Sequence, residues 1–227
     1  MSHATIAQAF GSSTRDKIRR AATVLGWMVI VGLAVGFILR NALHYYLYYD
    51  QASFGRFWPQ PVALLLHISG GIIALLTGPW QFWSGYRRAP MQVHRWTGRL
   101  FLAGVAMGSA AAFYLSIATV SRNWGLGVGL FILAVAWPST AGMAYYAIRK
   151  RQTETHKEWM IRAYVITFAF VTARIFPLLG RAYELPPREL AVTALWASWV
   201  VPLFITELIL HLKRMGRIQA ANTRRGL

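Results

Sequence analysis

The sequence contains no cysteine, and only seven acidic residues stand against 24 Lys and Arg in 227 positions. The first absence excludes disulfides, thiolate-bound metals, iron–sulfur clusters and covalently attached haem. The second leaves few carboxylates for catalysis, and no two of them share an apolar run. Also missing are a G-x-S-x-G elbow, a phosphate-cradling glycine loop and H-E-x-x-H, so the sequence carries no recognisable hydrolase signature. No polar stretch is long enough to fold as a soluble domain, so the chain must act within a helical bundle or at its faces.

What is present is apolar length. The chain is 56% hydrophobic, and its charges are gathered into clusters between uncharged runs. Six runs, near 21–43, 60–83, 97–120, 124–148, 160–180 and 190–211, reach the roughly 20 residues needed to cross a bilayer of about 30 Å. They lack the polar alternation of barrel strands, and backbone in hydrocarbon must satisfy its own hydrogen bonds. The fold predicted is an all-α integral membrane protein, a six-transmembrane-helix bundle. Residues 1–20 read as a cytoplasmic N-terminal tail, 21–212 as the transmembrane domain and 213–227 as a basic cytoplasmic C-terminal tail. The run Ala21 to Leu39 exceeds a signal-peptide core and ends at Arg40 without a small-x-small cleavage site, which predicts a retained first helix.

The basic residues sort by side. Arg15, Lys17, Arg19, Arg20, Arg87, Arg88, Arg95, Arg99, Arg149, Lys150, Arg151, Lys157, Arg162, Lys213, Arg214, Arg217, Arg224 and Arg225 fall on one side of a six-span topology. Only Arg40, Arg56, Arg122, Arg181 and Arg188 fall on the other, and Arg174 lies inside a span. Such asymmetry predicts a multi-pass protein of the inner (plasma) membrane with both termini in the cytoplasm. Anionic lipids at the cytoplasmic face are the expected partners of these clusters, and nucleic acid is not.

Several features bear on helix contacts. Gly32 and Gly36, then Gly104 and Gly108, allow close approach at four-residue spacing. Pro138, Pro177 and Pro202 lie within spans, where each removes a backbone donor. The external segment "HYYLYYDQASFGRFW", residues 44–58, reads either as an interfacial aromatic belt or as an aromatic-lined mouth for a flat ligand such as a quinone. Spans 2 and 4 run into "YRRAPMQVHRWTGR" and "YYAIRKRQTETHKEWMIR". Each gives an aromatic exit, a basic cluster, a histidine, a tryptophan shortly after it and an arginine entering the next span, which suggests two parallel hairpin repeats.

Chemistry rests on the histidines. Of six, His3 lies in the terminal tail, while His44 and His211 lie at span ends. His67 is about seven residues into span 2, roughly 10 Å from the external face at 1.5 Å per residue. An ionisable side chain there faces the bundle interior or a cavity, either as an interhelical hydrogen bond or in a cofactor or proton role. Arg174, at similar depth, needs an anion such as a ligand carboxylate or haem propionate. Glu207 is the carboxylate placed within a span, with Arg99 or Arg162 as its simplest partner. His94 and His156 occupy matched positions in the two hairpins, which suits bis-histidine ligation of a b-type haem with Arg99 and Arg162 neutralising propionates. A metal ion on His94 and His156, with His211 as a third ligand, fits the same residue types, and so does plain helix capping by each histidine.

At these residues the chain resembles a known family. "HISGGIIALLTGPWQFW", "HRWTGRLF" and "HKEWMIRAYVITFAFVTARIFP" are similar to the recurring segments of the uncharacterised bacterial multi-pass membrane proteins grouped as domain of unknown function 2306. The resemblance covers about residues 60 to 180 and implies that His67, Gly71, Gly78, Gln81, His94, Arg95, Gly98, His156, Trp159, Met160, Arg162 and Arg174 matter. It implies no activity and no catalytic residue. The layout is also loosely similar to transmembrane b-type cytochromes, whose ligand pairs lie well within the helices, whereas His94 and His156 stand at helix ends. The leading expectation is a haem- or metal-carrying redox protein of electron transport, working with a quinone or a membrane redox partner. A small-molecule transporter and an accessory subunit of a larger complex are the alternatives.

Overall fold

A computed structural model describes residues 3–87, 90–182 and 186–225, with the side chains of 3–13, 15, 86–87, 177–182, 221–222 and 224–225 outside the description. Among these residues all regular structure is helical: α1 (His3–Phe37), the short α2 (His44–Leu47) and α3 (Gln51–Phe54), α4 (Pro61–Arg87), α5 (Met91–Val120), α6 (Trp124–Arg149), α7 (Thr153–Thr167), α8 (Ala169–Ala182) and α9 (Pro187–Arg225). Five of them, α1, α4, α5, α6 and α9, are long and apolar enough to cross a membrane, and α7 with the start of α8 makes a sixth span bent by 42°. Each predicted run falls on one of these spans, and the protein is an all-α membrane protein.

The interior is a four-helix bundle. Helix α4 packs on α5, α5 on α6, α6 on α7, and α7 closes back on α4. Phe101, Val105, Trp137, Ala141, Ala163, Tyr164 and Ile166 fill its core. Helix α9 lies across α6, α7 and α8, while α1 rests on α4 and α8. The outward surface is as apolar as the core, with Leu25, Leu66, Leu100, Phe131, Phe204 and Leu208 all exposed. Only 6% of the most apolar window of α1 is buried within the chain, against 44% in α5 and in α6, so α1 is the most peripheral of these spans.

Glycine sets the tightest seam. A Cβ on Gly70 would stand 2.5 Å from Gly104 O and 2.5 Å from Gly108 N, so α4 and α5 touch backbone to backbone there. The Gly104 and Gly108 spacing thus marks a real contact, with Gly70 as its partner. Gly32 and Gly36 mark none, because nothing lies within 4 Å of a Cβ at either position.

Three further features go beyond the sequence reading. Residues 3–20 continue α1, and residues 213–225 continue α9. The stretch 213–225 is rich in strong helix formers, and Arg214 and Arg217 are drawn to Glu158 and Glu154 of α7. The fifth span breaks at Phe168, where no proline stands. Hydroxyls compete for carbonyls on both sides of that break: Thr167 donates to Ala163 O (2.8 Å), and Thr172 to Phe168 O (3.3 Å), Ala169 O (3.2 Å) and Ser198 O (2.7 Å). Such back-bonding bends a helix. Helices α6 and α9, by contrast, continue through Pro138 and Pro202.

Candidate functional site

Two histidine layers lie at opposite ends of the bundle. At one end, here the basic face, lie the starts of α5 and α7, with α7 packed on α9. His94, in the first turn of α5, points its Nδ1 back to Ser84 Oγ of α4 at 2.8 Å. Ser84 gives its own proton to Gln81 O (3.2 Å), so its oxygen accepts from Nδ1–H. The buried Gln81 amide donates to His94 O (2.8 Å) and to Thr97 Oγ1, which fixes the start of α5 against α4. His156, in the first turn of α7, likewise donates Nδ1–H back to Ala144 O of α6 at 2.8 Å. Each hairpin therefore uses its histidine alike, as the repeated sequence pattern implied. The two imidazoles are near enough for a charge on one to be felt by the other.

Around this pair runs an ionic ladder between α7 and α9. The buried Arg162 makes a two-pronged bond to Glu207, with Nε to Oε1 and Nη2 to Oε2 at 2.8 Å, and its guanidinium lies 4.7 Å from the Trp159 ring. The buried Glu158 holds Arg214 and, at 3.3 Å, Arg217, while Glu154 holds Lys157 at 2.7 Å. All five carboxylate–cation contacts among the described residues lie on this face.

The opposite end, the aromatic face, has no such ladder among the described residues. His67 sits one turn before Gly70, and the glycine seam brings its Nδ1 to 2.9 Å from Gly108 O. A carbonyl only accepts, so the neutral ring carries its proton on Nδ1 and leaves the Nε2 lone pair free. The ring meets Phe170 edge to face at 5.0 Å, and Phe170 meets Trp137 at 5.3 Å. Trp137 donates to Thr167 Oγ1 at 2.8 Å, which locks that wall. His67, Phe170, Trp137, Ser116 and Thr119 line a partly open cavity of about 100 Å³, with Phe57 at its edge. The rest of the aromatic loop packs on itself: Tyr45, Tyr49 and Trp58 surround the buried Phe54 with centroids 5.2–5.9 Å apart.

The predicted residues divide accordingly. His94 and His156 stand in the first turns of α5 and α7, each turned back on its own hairpin, and Glu207 has Arg162 as its partner. Arg99 lies exposed over the Trp96 ring at 4.8 Å. Arg174 is exposed on α8 and is absent from the His67 cavity. His211 is exposed on α9, and no set of three His, Asp or Glu side chains that could hold a metal comes together among the described residues. Sequence reasoning missed Ser84, Gly70, Phe170 and Trp137 as partners of the histidines. The serine carried a signal, since it precedes His94 by a turn-spanning interval, whereas the aromatics are set by tertiary packing alone.

No curated protein and no solved structure matches the chain. The family described as predicted membrane proteins (DUF2306) matches residues 64–210, and so takes in the sixth span that the resemblance ending near residue 180 left out; the chain belongs to that family.

Proposed function

We propose that this membrane protein is a cofactor carrier of the inner membrane, holding a b-type haem or a transition-metal ion through Nε2 of His94 and His156 for redox work with a membrane partner. One observation carries the reading. Both imidazoles place Nδ1 against a local acceptor, Ser84 Oγ and Ala144 O, which leaves each Nε2 without a hydrogen bond among the described residues. Ligand histidines are held in this way, their second nitrogen fixing tautomer and ring orientation.

The surrounding charges narrow the proposal. Arg162 is committed to Glu207, so carboxylates on a bound macrocycle would meet Arg99 and Arg95, which are exposed beside the pair in sequence. When bound, the group would supply one-electron chemistry that no side chain of this cysteine-free protein offers. The cytoplasmic placement of this face follows from its eighteen basic residues and the positive-inside rule.

The test is direct. Full-length protein purified from haem-replete cells should show either a Soret band or close to one transition-metal ion per chain. A preparation with neither disproves the reading.

A further inference from the structure

The aromatic face holds a second site, separate from His94 and His156, and it is argued without them. Its cavity of about 100 Å³ shares Phe57, Leu115 and Thr119 with a shallower void of about 40 Å³ lined by Arg56, Gln60, Arg122 and Asn123. The larger void is therefore apolar and aromatic, and the smaller one beside it is cationic. Among the described residues, no Asp or Glu lines either void.

The polar groups differ in what they ask of a ligand. Ser116 and Thr119 give their protons to Phe113 O (2.7 Å) and Leu115 O (2.8 Å). His67 gives its proton to Gly108 O, so its Nε2 can only accept, and a ligand must bring a donor to it. At the mouth, Arg122 uses one N–H on Arg56 O (3.0 Å), and the Arg56 guanidinium lies over Phe57 at 4.8 Å. The remaining guanidinium donors call for an anion.

Length and volume bound the rest. Ala112, Ser116 and Thr119 line one side of the space over seven residues of α5, roughly 10 Å at 1.5 Å per residue. That spans one six-membered ring with a polar group at each end. The larger void alone, which is partly open, has about two thirds of the roughly 150 Å³ of an engineered cavity that admits benzene. We propose that this site binds a small single-ring hydroxy acid as its anion: the hydroxyl donates to His67 Nε2, the ring packs against Phe170 and Trp137, and the carboxylate faces Arg56 and Arg122.

The experiment compares three probes on the full-length protein in detergent by titration calorimetry: 4-hydroxybenzoate, benzoate and phenol. The first should bind saturably, and benzoate should bind about tenfold more weakly, since it leaves the His67 acceptor without a donor. Arg122→Gln, an exposed change away from the packed seam, should weaken 4-hydroxybenzoate severalfold and leave phenol unchanged. His67→Leu should bring 4-hydroxybenzoate down to the level of benzoate. The proposal is overturned by no saturable binding of 4-hydroxybenzoate at millimolar concentration, by equal binding of benzoate, or by indifference to Arg122→Gln.

Discussion

The two ends of the bundle hold histidines in the same tautomer yet surround them differently. At the basic face the imidazoles lie among carboxylate–guanidinium pairs that tie α7 to α9, with Arg162 buried against Glu207 and Glu158 against Arg214 and Arg217. At the aromatic face the imidazole lies on a glycine seam beside a cavity whose walls are rings and small residues. The lesson is one of position. With only seven acidic residues, the chain concentrates its pairing where basic clusters already gather, and leaves the other end to shape and hydrogen bonding.

Breaking the ladder should have the largest effect on stability. Glu207→Gln leaves the Arg162 guanidinium buried without its anion, and a broken pair of this kind costs about 3 kcal/mol. Chemical unfolding in detergent should show that loss, with the Arg162→Ala, Glu207→Ala double variant less destabilised than the sum of its singles. A seam change comes next. Gly70→Ala forces a methyl into Gly104 and Gly108 backbone and should cost about 2 kcal/mol. It should also move His67 off Gly108 O, which nitrogen-15 NMR of the imidazole would detect as a shifted tautomer balance.

A smaller effect is expected from Ser84→Ala, which removes the acceptor for His94 Nδ1–H. Stability should fall by about 1 kcal/mol. Cofactor retention measured by dialysis against a chelator or apomyoglobin should weaken about tenfold. No loss is expected from Gly32→Ala, which meets open space and, by helix propensity, should leave the protein as stable as the parent or up to about 1 kcal/mol more stable in the same unfolding assay. A contrast between Gly70 and Gly32 of that size would confirm that identical small-residue spacing has opposite meaning on α4 and on α1.

Why some of this was readable in the sequence follows from range. Span positions come from local hydropathy, and the six runs landed on six spans. The matched placement of His94 and His156 at the starts of α5 and α7 was readable because both hairpins repeat one pattern, and the Arg162–Glu207 pair because few alternatives exist in an acid-poor chain. The bend at Phe168 was not readable, since no proline marks it. Nor was the exposure of Arg174, which depends on how α8 turns after that bend. The His67 cavity required knowing that Gly70, rather than a residue nearer in sequence, meets Gly104 and Gly108.

The central claim is that His94 and His156 act as one unit and His67 as another. Cofactor content of the purified His94→Ala, His156→Ala and His67→Ala proteins tests it most directly, by absorbance and metal analysis against the parent. The account predicts equal, near-complete loss in the first two and retention in the third. Loss confined to His67→Ala, or retention in all three, would contradict it.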